Sequence, residues 1–113
     1  MNNRKFDIVV MGATGFTGKL VVEYLLDNYG VENEQFSWAI AGRSTKKLQK
    51  LKKSLSDIHT SSLAIPEIIA DSLDKNSLDK MASNCGVIIS TVGPYLKYGH
   101  LLLQSCAEHG THY

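Results

Sequence analysis

The 113-residue sequence predicts an α/β fold, a single domain in which a parallel sheet carries helices on both faces. Short apolar or β-branched runs alternate with segments of helical periodicity. The first run leads directly into a glycine-rich loop, and most of the helical segments have their own start or stop residue. Strands alternating with helices of this length need right-handed crossovers, which make neighbouring strands parallel. The predicted order is βαβαβαβα.

Residues 7–11 (DIVVM) form a compact apolar run suited to a strand buried on both faces. From Gly15 the apolar positions Leu20, Val21, Tyr24 and Leu25 keep helical spacing, and Gly30 is the expected stop. Residues 38–41 (WAIA) read as the second strand. Ser44 then caps a helix whose inward stripe is Leu48, Leu51 and Leu55. A polar stretch over 56–62 leads to Pro66 and a third strand at 67–70 (EIIA). Asp74 is the next N-cap, with Leu73 and Leu78 at the positions of a hydrophobic staple. Leu78, Met81 and Ala82 supply that helix's inner face. Residues 87–92 (VIISTV) are β-branched at five of six positions and make the strongest strand. The last helix runs from about Tyr98 to His109 and stops at Gly110, so that Thr111 would open a fifth strand. The expectation is therefore one domain, 1–113, cut from a longer protein before or within that strand.

Composition narrows the partners. With 43% hydrophobic and 20% charged residues and a net charge of +1, there is no global electrostatic reason to expect nucleic acid or an anionic membrane. No apolar run approaches the roughly 20 residues of a membrane span. The N-terminal MNNRKFDIVVMG lacks a signal peptide's long apolar stretch, so the expected location is intracellular, cytoplasmic by default. Membrane or lipid-droplet association of a full-length protein stays open. Cys85 and Cys106 have no metal-ligand spacing and read as buried or half-buried thiols in a reducing compartment. His59, His100, His109 and His112 are scattered, and no metal site is expected.

The loop in VVMGATGFTGKLV is built to hold a phosphate. A triphosphate-binding loop needs G-x-x-x-x-G-K-[S/T]. Gly18-Lys19 fits its end, but Ala13 stands where the first glycine belongs and Leu20 where the magnesium-binding hydroxyl belongs. The alternative is a Rossmann turn, here with glycines 12, 15 and 18 in a G-x-x-G-x-x-G spacing. Gly12 lets the chain leave the strand in a conformation barred to side chains. Gly15 leaves room for a pyrophosphate at the helix N-terminus, where free amides and the helix dipole favour an anion. Gly18 lets the helix pack closely, and Thr14 and Thr17 add hydroxyl donors; Ala13 and Phe16 complete the candidate loop. A purely structural glycine turn, or another nucleoside ligand such as S-adenosylmethionine, remains the competing reading.

The end of the second strand selects the cofactor. NAD-preferring sites place an Asp or Glu there for the ribose hydroxyls. This chain has Arg43 and Ser44, a guanidinium that can grip a 2′-phosphate and a hydroxyl that can donate beside it, which favours NADP(H) over NAD(H). Lys46 or Lys47 can assist. Together with Lys50, Lys52 and Lys53 they otherwise read as a solvated helix face, without the interleaved aromatics of a nucleic-acid surface. Asp71 and Ser72 end the third strand beside the adenine position, where Asp71 is either an adenine acceptor or a turn residue. Thr91, Val92 and Gly93 follow the fourth strand towards the ribose and pyrophosphate, with Pro94 and Tyr95 fixing the loop.

With these residues in view, the chain resembles the N-terminal NADP-binding domain of the saccharopine dehydrogenase-like oxidoreductases and trans-acting enoyl reductases. The resemblance rests on GATGFTG at 12–18, WAIAGRS at 38–44, VGPY at 92–95 and CAEHG at 106–110, and spans essentially the whole chain. It implies a cofactor-holding domain for hydride transfer. It also implies a second α+β domain, not represented here, that supplies the substrate pocket and homodimer contacts. A Tyr-x-x-x-Lys pair is absent, since Tyr24, Tyr29, Tyr95 and Tyr98 are followed four residues on by Asn28, Asn33, Gly99 and Leu102. Cys85 precedes a predicted strand and Cys106 lies within a helix, poor positions for nucleophiles. The catalytic residues stay unknown. The alternative function is a non-catalytic NADP-sensing or interaction module.

Overall fold

A computed structural model describes residues 5–31, 36–57, 59–71, 73–90 and 100–111, with side chains of the last stretch from 104 onward. Among these residues, β1 (Phe6–Met11), β2 (Trp38–Gly42), β3 (Glu67–Ile69) and β4 (Cys85–Ser90) form one sheet in the order β3-β2-β1-β4. All three strand pairings are parallel. The helices are α1 (Phe16–Asn28), α2 (Thr45–Leu55), α3 (Lys75–Ser83) and α4 (His100–His109), and a 3-10 turn occupies Thr60–Ala64.

Alternation along the strands sorts two cores. Val10, Trp38 and Ile40 face one side and pack with Val22, Leu25 and Leu26 of α1 and Leu48, Leu51 and Leu55 of α2. Val9, Met11, Ala39, Ala41 and Ile88 face the other and meet Leu78, Met81 and Ala82 of α3 and Cys106 of α4. Each large apolar side chain buried in these layers contributes about 1.5–3 kcal/mol.

Local signals set the boundaries. Gly30, at φ 76°, ends α1, and its carbonyl accepts from the indole Nε1 of buried Trp38 at 2.9 Å. Ser44 Oγ accepts from the Lys47 amide at 3.2 Å, and Asp74 Oδ1 from the Asn76 amide at 3.1 Å, so both predicted N-caps form. The expected staple does not bury Leu73, which stays 59% exposed while Leu78 enters the core. Strand β4 starts at Cys85, two residues before the β-branched run, because Cys85 pairs with Phe6 across the ladder. Gly86 fits there because a Cβ would lie 3.2 Å from the Asp7 carbonyl oxygen. Thr111 is not in a strand; its buried hydroxyl donates to the Ala82 and Cys85 carbonyls. Among the described residues, no helix is long and apolar enough to cross a membrane.

This order creates a switch point in the sheet. The chain leaves β1 for β2 and β3 on one side, then returns to place β4 on the other. The carboxyl ends of β1 and β4 therefore flank a topological switch point, where open α/β sheets bind their ligands.

Candidate functional site

The glycine loop leaves β1 at that switch point. Gly12 adopts φ 81°, a conformation that side chains disfavour, while its amide donates to the Ala41 carbonyl at 3.1 Å. The Gly15 amide closes the turn onto the Gly12 carbonyl at 3.1 Å. Ala13 is fully buried in the α1–α2 core, so this residue contributes to the loop through its backbone. Thr14, Gly15, Phe16 and Thr17 are exposed, Phe16 at 85%.

Gly15 and Gly18 differ sharply in their surroundings. A Cβ on Gly18 would come within 2.8 Å of Ala13 Cα and 2.9 Å of the Gly12 carbonyl carbon, both backbone atoms. This glycine lets α1 pack on the loop. A Cβ on Gly15 would meet only the Gly12 oxygen, at an ordinary 3.5 Å, and would otherwise project into open space. Gly15 is also the N-cap, with no side-chain cap and no acidic residue in the first turn of α1. The amides of Phe16, Thr17 and Gly18 lack intrahelical acceptors at this position. The start of α1 is thus a donor cradle that an anion can fill, and a side chain at 15 would intrude on it.

At the end of β2, Arg43 is exposed and pairs with no carboxylate among the described residues. Ser44 uses an oxygen lone pair to cap α2, which leaves its hydroxyl proton free to donate outward. The first turn of α2 again contains no acid, and Lys46 and Lys47 are exposed within it. Cations at the positive end of a helix dipole are unfavourable on their own, and a bound anion relieves that cost.

Asp71 follows β3 and forms an Asx turn, its Oδ1 accepting from the Leu73 amide at 2.9 Å. Its own amide donates to Ser77 Oγ at 3.0 Å. The turn role is therefore occupied, and the half-buried carboxylate keeps its second oxygen. Ser72, Thr91, Val92, Gly93, Pro94 and Tyr95 lie outside the described residues. Ser90, absent from the predicted set, ends β4 opposite Met11, with its hydroxyl oxygen buried and without a hydrogen-bond partner among the described residues. Its position within a β-branched run hid it, because only the sheet register reveals that it borders the crevice.

A second polar cluster lies away from this edge. Asp79, Glu108 and His109 bring one ligand atom each to within 4.8 Å of one another. Lys75 Nζ donates to Asp79 at 2.9 Å and to Glu108 at 2.7 Å. Those bonds hold both carboxyls below their usual range and raise the Lys75 ammonium above its own. The arrangement ties α3 to α4.

Comparisons with known proteins agree with this geometry. The family model for the saccharopine dehydrogenase NADP binding domain matches residues 8–113. The chain is 44% identical over 112 residues to a lipid droplet localized protein of Caenorhabditis elegans, covering 94% of this chain and 25% of that relative. It is 38% identical over 112 residues to a trans-acting enoyl reductase of Mycobacterium leprae, covering 99% of this chain and 25% of the other. The chain thus spans about a quarter of the length of these curated relatives. Among solved structures, apo saccharopine dehydrogenase (L-Glu forming) from Saccharomyces cerevisiae superposes with a TM-score of 0.68 at 24% identity, over 94% of this chain and 20% of that one. Triphenylmethane reductase from Citrobacter sp., complexed with NADP(H), gives 0.69 at 20% identity, over 94% and 35%. At these identities the structural matches establish the Rossmann-like fold. The family match covers nearly the whole chain. The chain belongs to the saccharopine dehydrogenase NADP binding domain family, and its cofactor is NADP(H).

Proposed function

We propose that this chain holds NADP(H) at the edge formed by the Gly12–Gly18 loop and the start of α2, as the cofactor domain of a larger oxidoreductase. The pyrophosphate lies over Gly15 against the amides of Phe16, Thr17 and Gly18, assisted by the hydroxyls of Thr14 and Thr17. Arg43 and Ser44 receive the 2′-phosphate, and Lys46 and Lys47 add positive charge around it. Asp71 and Ser72 border the adenine. Thr91, Val92, Gly93, Pro94 and Tyr95 approach the ribose and pyrophosphate from the end of β4.

The observation that carries this reading is Arg43, which directly follows β2 and pairs with no carboxylate among the described residues, beside a helix start that contains lysines and no acid. An NAD-selective site would need a carboxylate there. Bound at this edge, the nicotinamide supplies a hydride to an electrophilic carbon. The chain's own residues bind and orient it, while a separate substrate domain presents the acceptor. We infer an apolar, lipid-like acceptor, because two relatives sharing this domain are named for a lipid droplet and for enoyl reduction.

Isothermal titration with NADPH and NADH tests the cofactor assignment. Arg43→Ala removes charge-assisted hydrogen bonds worth about 1.5–3 kcal/mol, or roughly 10- to 150-fold in NADPH affinity, and leaves NADH nearly unchanged. Equal losses for the two cofactors would sink the role given to Arg43. A full-length protein that binds NADPH but never transfers hydride to an enoyl or carbonyl lipid would replace the oxidoreductase with a cofactor sensor.

A further inference from the structure

We propose that the outer face of the α1–α2 layer docks on an anionic phospholipid surface. Net charge gives no support for this, being only +1, so the argument is local. Helix α1 carries Phe16, Leu20 and Tyr24 four residues apart along one stripe, at 85%, 51% and 59% exposure. Spacing of four residues keeps a stripe on one helical face, here opposite the buried Gly18, Val22 and Leu25.

Helix α2 packs on the same side of the sheet, within the same core. Its buried stripe is Leu48, Leu51 and Leu55, and exposed Lys46, Lys50 and Lys53 project from the opposite face. Lys19 is exposed in the first turns of α1. The two helices follow parallel strands through right-handed crossovers, so they run side by side and their outer faces share one surface. That surface combines large apolar side chains with a row of lysines, the pattern of interfacial docking. Among the described residues, the acidic groups of α1 are Glu23, half-buried within the same stretch, and Asp27, which is engaged by His59 Nε2 at 2.5 Å. The surface borders the cofactor edge, because the starts of both helices are also the proposed phosphate-binding ends. Docking there would bring the cofactor edge close to an apolar substrate held in the lipid.

The inference rests on the proposed function only for the use of the surface, and its test separates the two. The full chain is sedimented with phosphatidylcholine vesicles, alone or with about 30% phosphatidylserine, and the same samples are titrated with NADPH. Expected binding is at least about tenfold tighter to the anionic vesicles and falls steeply as salt rises above about 0.1 M. Lys50→Glu with Lys53→Glu, and separately Leu20→Ser with Tyr24→Ser, each weaken vesicle binding by about tenfold or more while NADPH affinity holds. Hydrogen exchange on the unsubstituted chain provides a check that no variant can spoil: vesicles should protect 16–24 and 45–53. Absent binding, equal binding to both vesicles, or protection elsewhere overturns the proposal. So does a dimer broken by Leu20→Ser with Tyr24→Ser in lipid-free sedimentation, which would make the face a contact between copies. NADPH binding that persists through a vesicle failure leaves the cofactor reading standing.

Discussion

Alanine at Gly18 and alanine at Gly15 should damage different properties of the molecule. At Gly18 the new methyl would sit 2.8 Å from Ala13 Cα and 2.9 Å from the Gly12 carbonyl carbon. Carbon atoms prefer about 3.5–4.0 Å. Neither neighbour can retreat cheaply, because Gly12 is held at φ 81° and its amide is bonded to Ala41. Overpacking of this kind costs about 1–3 kcal/mol, and contact with pinned backbone places it at the upper end. The higher helix propensity of alanine returns up to about 1 kcal/mol. A net loss of about 2 kcal/mol corresponds to a melting-temperature drop of roughly 8–16 °C in a domain of this size. At Gly15 the backbone sits at φ -78°, ψ 170°, open to any residue, and the methyl meets only an ordinary 3.5 Å contact. Exchanging one N-cap for a poorer one costs about 0.5–1 kcal/mol, partly offset in the unfolded chain. Melting by circular dichroism should therefore fall by less than about 5 °C. NADPH affinity should fall at least about tenfold, since the methyl occupies the pyrophosphate's approach. A Gly18→Ala protein melting within about 2 °C of the parent would refute the close-approach argument. A Gly15→Ala protein with unchanged NADPH affinity would refute the cradle.

Ser44→Ala removes the cap on Lys47 and should lower stability by about 1 kcal/mol, whereas Ser44→Asp keeps a cap and retains the melting temperature. Ser44→Asp should nevertheless lose NADPH selectivity, and a titration showing NADPH still preferred would dissociate this residue from the 2′-phosphate. Thr111→Val leaves the Ala82 and Cys85 carbonyls without their side-chain donor and should cost about 1–3 kcal/mol in urea unfolding, with no change in cofactor affinity. The Lys75 cluster sets a pH dependence. Asp79 and Glu108 titrate below their ordinary values, so their contribution is present at neutral pH and is lost as pH falls through those depressed values. The raised Lys75 value places the complementary loss at alkaline pH. Melting curves of Lys75→Met and the parent should converge in strong acid, and a gap that persists there would place the stabilisation elsewhere.

Much of the architecture was legible in the chain because it depends on local chemistry. The caps at Ser44 and Asp74 and the turn at Gly12 need only a few neighbouring residues, and all three form as read. The start of β4 was less legible. Cys85 and Gly86 have weak strand preference, and pairing of Cys85 with Phe6 recruits them. Leu73 illustrates the opposite error: its spacing suits a staple, yet among the described residues nothing buries it.

By itself, the sequence determined the alternation of strands and helices, the glycine loop after β1 and the arginine that follows β2. Each of these is written in residue type and short spacing. Only the tertiary structure decided which glycine serves packing and which leaves space, since Gly15 and Gly18 are alike until Ala13 is placed beside one of them. It also decided that Ser90 borders the crevice, that Lys75 joins two helices, and that an apolar stripe and a lysine row share one surface. These are relations between distant residues, set by sheet register and crossover handedness, and no local pattern records them.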